Sequence, residues 1–208
     1  MKHPVPRTRY GQALKLNDLE IASKDIIPIL IEDVRFLEKQ YLHNRKDMAS
    51  ARAAFRAYFS LIEAISYFTS EITLILSEIP ELKRNLSEKE KEELAGKRIE
   101  IKSGKLIEKR LSNSFLERVK LALKSYSKLH GLNYRIDPQS NGWQCFIKAI
   151  DRRHRITHPK KIDDIRISEN DYEIIKNAEK WFVEQQKEID RLKEEKKKKE
   201  KEETKSLS

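Results

Sequence analysis

The chain has 208 residues, enough for a sizeable core, and carries 44 Lys plus Arg against 34 Asp plus Glu, a net charge of +10 and a pI near 9.5. That excess favours polyanionic partners (RNA, DNA or an acidic protein) without choosing among them. With Cys145 as the single cysteine, an internal disulfide and a cysteine zinc knuckle are excluded.

A lone thiol fits a reducing cytoplasm, and "MKHPVPRTRYGQ" has no apolar segment after its charges, so no secretory signal is expected. The longest apolar run, "IIPILI", has six residues including Pro28. A membrane helix needs roughly 20, so no membrane partner is expected. With five glycines and no Gly-rich phosphate loop, a nucleotide-binding α/β fold has no support.

In chain order the pattern is helical. Pro4 and Pro6 mark an irregular arm, expected over 1–24, and a first helix is expected from Asp25 or Pro28 to His43. The main domain is expected over 25–192. The second helix should run from Asp47 to Ile79, where Phe55, Tyr58, Phe59, Ile62, Ile65, Phe68, Ile72, Leu76 and Ile79 recur at helical spacing. Glu63 inside it is expected on a polar strip or paired with an arginine, because a buried unpaired carboxylate is costly.

Residues 81–110 form a charged insertion. It offers a short helix, "SEKEKEELAG", closed by Gly96, then a hairpin turning at Ser103 and Gly104. Ser114 and Glu117 form a capping-box pattern, followed by the stripe Phe115, Val119, Ala122, Tyr126 and Leu129, with Gly131 as the stop. Trp143, Phe146, Ile147 and Ile150 give the next helix its buried face. The last helix starts after Ser168, with Tyr172, Ile175, Ala178, Phe182, Gln185, Ile189 and Leu192 in register. Beyond Lys193 the tail, 193–208, has no apolar face and should fray. The fold class is all-α, a helical bundle with a charged insertion and a charged tail.

The stretch "AIDRRHRITHPKK", 149–161, carries the chemistry. Pro159 disfavours the α conformation at His158, so the helix ends there or earlier. Arg153 should project from its last turn and His158 from just beyond. A histidine moves protons near neutral pH, and an arginine offers forked donors to phosphate oxygens. Such a pair suits RNA cleavage by the substrate's own 2′-hydroxyl, without a metal. Arg152, Arg155, Lys160 and Lys161 are candidate RNA-phosphate contacts; the alternative for the arginines is a helix C-terminus with favourable dipole placement, and for the lysines plain surface charge. His154 and His158, four apart, would be metal ligands only if the helix continued through Pro159, so no cofactor is expected. Trp143, Trp181 and Cys145 are expected to be packing residues.

"RHRITHP", Arg153–Pro159, resembles the R-x4-6-H motif of the HEPN superfamily of small α-helical domains. The interval from Arg153 to His158 is four residues and His154 takes the polar position after the arginine; Arg152 to His158, with five between, is the alternative register. The resemblance covers about residues 25–190. It implies an endoribonuclease leaving 2′,3′-cyclic phosphate ends, of the toxin or antiphage-defence type, with Arg153, His158 and His154 as catalytic residues. It also implies a homodimer whose motifs meet, and a cognate inhibitor or antitoxin as a possible partner. Non-catalytic binding modules also occur in that superfamily.

Overall fold

The computed structural model describes residues 9–102 and 105–206. Six α-helices, two short 3-10 turns and one two-stranded hairpin make up the described residues, an all-α protein. Two compact units share the chain: Met1–Glu32 with Ser60–Leu129, and Asp33–Phe59 with His130–Ser208.

Helix α1 runs Arg9–His43 and α2 Met48–Leu76. The irregular arm expected up to residue 24 is therefore helical from Arg9 onward, with Pro28 inside α1 rather than in its first turn. Pro28 lies on the exposed side, so the ring and the missing N–H face solvent instead of the core. Asp47 caps α2, accepting from the N–H groups of Ala49 and Ser50 at 3.0 and 3.3 Å.

α2 is the one described helix long and apolar enough to cross a membrane, with a mean hydropathy of 1.4 in its most apolar window, a third of it buried within the protein. No long uninterrupted apolar run marks this helix, because isolated polar residues break the run without lowering the mean much. Phe55, Tyr58, Phe59 and Ile62 are buried as their spacing requires. Past Phe68 the buried positions are Thr73, Ile75 and Ser77 instead of Ile72, Leu76 and Ile79.

In the first unit, α3 (Glu88–Leu94) starts with a complete capping box between Ser87 and Glu90, and Gly96 follows it at φ +64°. Strands β1 (Lys97–Lys102) and β2 (Lys105–Arg110) pair antiparallel, Lys97 opposite Arg110 and Lys102 opposite Lys105. The expected turn at Ser103 and Gly104 lies outside the described residues. α4 (Phe115–Leu129) buries Phe115, Val119, Ala122, Leu123 and Leu129. The Ser114 hydroxyl accepts from the Glu117 N–H at 3.2 Å. Glu63 is paired, receiving Arg118 Nη2 at 2.8 Å.

In the second unit, α5 (Asn141–Thr157) packs along α6 (Glu169–Ser206). Trp143, Phe146, Trp181 and Phe182 form the aromatic core between them, with the Phe146 and Trp181 rings 4.7 Å apart. Gly142 lets the helices meet: a Cβ there would stand 2.6 Å from Trp181 Cβ. The buried stripe of α5 is Trp143, Cys145, Phe146, Ala149, Arg152 and Ile156; Ile147 is exposed. α6 stays helical to Ser206, contrary to the expected fraying past Lys193. Ion pairs three and four residues apart line that extension, among them Lys197–Glu194 at 2.6 Å and Lys196–Glu200 at 3.9 Å. Lys196 Nζ also donates to the His130 carbonyl at 2.7 Å.

Candidate functional site

The site lies wholly in the second unit, where α5 ends and the chain turns toward α6. α5 stops at Thr157 and His158 caps it with φ −126° and ψ 63°, outside the α region that the following Pro159 disfavours. The His158 N–H still donates to the His154 carbonyl at 2.9 Å, and the Thr157 hydroxyl donates to the Arg153 carbonyl at 2.8 Å. Arg153 therefore stands in the turn before the last, one turn earlier than expected.

The four basic residues of "RRHR" take different roles. Arg152 is buried, its side chain 6% exposed, with Nε 3.2 Å from Asp171 Oδ1. It points into the α5–α6 contact and is no surface contact for RNA, which corrects the sequence expectation. Its Nε faces the carboxylate without hydrogen-bond alignment. Ser168 caps α6, its hydroxyl accepting from the Asp171 N–H at 3.1 Å, and Asp171 Oδ2 reciprocates by accepting from the Ser168 N–H at 2.9 Å. Arg153 is half-buried, its guanidinium 5.7 Å from the centroid of the Phe59 ring, a cation–π distance. Arg155 is exposed and pairs with Asp151 at 3.0 Å. His154 is exposed, and its ring lies 5.1 Å from that of His158, tilted by 54°.

Two imidazoles thus meet at the surface, while the neighbouring guanidinium is braced against an aromatic ring. Lys160 and Lys161 follow, also exposed. Their backbone N–H groups donate to Asp164 Oδ2 at 2.9 and 3.1 Å. The Lys160 N–H above all holds the buried Asp164 carboxyl below the usual aspartate range. Among the described residues no group of three His, Cys, Asp or Glu side chains is placed to hold a metal. Trp143 and Trp181 are core residues, and Cys145 is buried beside Asn141, its Sγ 3.8 Å from Oδ1.

Three further residues, distant in sequence, contribute to the site. Phe59 supports Arg153, and Arg52 and Arg56 reach the same region from α2. Arg56 Nη2 donates to the Ile156 carbonyl at 3.3 Å, and Arg52 Nη1 to the Ile165 carbonyl at 3.1 Å. The signal was present: two arginines at i, i+4 in the otherwise apolar "ARAAFRAYF". A groove of 730 Å³ belongs to the first unit, is lined by Tyr67, Phe115 and Val119 among others, and contains none of these residues. No family model, curated protein or solved structure matches the chain.

Proposed function

We propose that the protein is a metal-independent endoribonuclease of HEPN type. The observation that carries this reading is the exposed His154–His158 pair at the exit of α5, next in sequence to Arg153, whose guanidinium is braced on Phe59. The 2′-hydroxyl of the substrate attacks the adjacent phosphorus, and the 5′-oxygen leaves. His158 takes the proton from the nucleophile or delivers one to the leaving oxygen, with His154 beside it. Arg153 stabilises charge on the phosphoryl oxygens, and Lys160 and Lys161 hold flanking phosphates. Products are a 2′,3′-cyclic phosphate and a 5′-hydroxyl, and DNA is spared.

A second copy of the chain, its motif facing the first, supplies a further proton-transfer group. Toxin or antiphage-defence activity in a reducing cytoplasm, restrained by a cognate inhibitor, is the biological form of this proposal. One observation favours a second reading, a non-catalytic module that binds RNA or protein. Arg152 is enclosed beside Asp171, Arg155 pairs with Asp151 and Arg153 lies on the Phe59 ring, so the motif also makes sense as architecture.

The test incubates purified protein with total RNA in EDTA and examines fragment ends. Cyclic phosphate ends that vanish in His158→Ala support the nuclease. Intact RNA, bound equally by wild type and His158→Ala, supports the binding module and ends the nuclease reading.

A further inference from the structure

We propose that Arg52 and Arg56 of α2 are positioning residues for His158, gripping both ends of the segment that carries it. The interior of the His158–Ile165 segment is closed by Asp164, but His158, Pro159, Lys160, Lys161 and Ile162 are all exposed and give it little core packing. What joins it to α2 lies at its two ends. Arg56 holds the carbonyl of Ile156, two residues before His158, and Arg52 holds the carbonyl of Ile165, at the far end of the 3-10 turn Ile162–Ile165. Both are α2 residues one turn apart, and one turn further the same helix presents Phe59 under Arg153.

Three side chains of a single helix thereby set the height of both halves of the motif. Between the two grips, Asp164 gathers the N–H groups of Lys160 and Lys161, which fixes the interior of the loop. A guanidinium donating to a carbonyl at a helix end also satisfies one of the orphan acceptors there. A misplacement of about 1 Å at a reacting group costs on the order of a hundredfold in rate, so such anchoring has kinetic weight. The kinetic part of this proposal rests on the nuclease reading; the structural part does not.

The experiment has two arms, each run on the full chain. In the first, amide hydrogen exchange is followed at Lys160, Lys161 and, as a reference, Ala149. Arg52→Ala and Arg56→Ala are expected to speed exchange at both lysines by about tenfold or more while Ala149 is unchanged. Unchanged protection of the lysines overturns the proposal, whether or not RNA is cut. Should an alanine variant lose its near-ultraviolet signal, Arg52→Gln and Arg56→Gln are read instead, with the same two outcomes.

The second arm measures initial rates of RNA cleavage. Arg56→Ala is expected to lower kcat about tenfold with KM within about twofold, and Arg56→Lys to recover part of the loss. A higher KM at unchanged kcat means that Arg56 grips substrate itself, and overturns the positioning role. If the wild type cuts no RNA, the nuclease reading falls and the exchange arm alone decides this proposal.

Discussion

The Arg152 guanidinium and the Asp171 carboxylate are 6% and 18% exposed, so each depends on the other for its charge to be tolerable. Removing one leaves an enclosed ion without a counterion, and Asp171 is also the capping-box partner of Ser168 at the start of α6. Arg152→Ala is expected to cost about 3 kcal/mol in urea unfolding, whereas Arg155→Ala, which loses only a surface pair, should cost less than about 0.5 kcal/mol. Equal effects would mean that the buried pair is not a stabilising unit.

His130 gives a second expectation at this scale. Burial lowers its pKa to about 4, and Lys193, Lys196 and Lys197 push the same way. The unfolded chain binds that proton near pH 6.5, the folded chain only near pH 4. Stability present above about pH 6.5 is therefore lost as pH falls through about 4, because the unfolded state binds more protons across that window. His130→Gln should flatten this part of the stability curve; an unchanged acid slope would reject the assignment.

At the level of elements, the α5–α6 contact turns on one glycine. In an exposed helix Gly→Ala would gain about 1 kcal/mol. At Gly142 the new Cβ would sit 2.6 Å from Trp181 Cβ and 2.8 Å from its Cδ1, so the aromatic core must shift. Gly142→Ala is expected to lose about 1–3 kcal/mol, read by denaturation, with a change in Trp181 fluorescence. Gly96→Ala is the contrast: nothing lies within 4 Å, and the cost, about 1 kcal/mol, comes from its φ of +64° alone.

The same elements show what could be read from sequence. The middle of α2, α4 and the start of α6 announced themselves, since large apolar side chains at helical spacing have one way to be buried. α1 did not, because its first half lacks a strong apolar face and prolines conceal its continuity. The end of α6 held together through local ion pairs, which an apolar pattern does not register. Arg152 was hidden in a run of cations, although Cys145, Ala149, Arg152 and Ile156 continue one stripe at steps of four and three. The motif's location at a helix exit was legible; the partners that hold it, Phe59, Arg52 and Arg56, lie about a hundred residues away and carry no local signature.

For the molecule as a whole, a net charge of +10 makes attraction to RNA general, so affinity by itself says little about the site. Salt dependence separates the cations that meet phosphates from those the fold consumes. Each phosphate contact on a single strand contributes about −0.7 to the slope of log K against log salt. Lys160 and Lys161 present exposed ammonium groups from a loop whose backbone Asp164 fixes, so a double Lys160→Ala, Lys161→Ala variant should make that slope shallower by about 1.4. Arg152→Met, read where it remains folded, should leave the slope as it is, because its guanidinium faces Asp171 and not solvent. The reverse pattern, with Arg152 steepening the salt response and the lysines silent, would place the RNA track on a different surface. It would remove the phosphate-holding role from the loop after His158, while leaving the imidazole pair to be judged by cleavage alone.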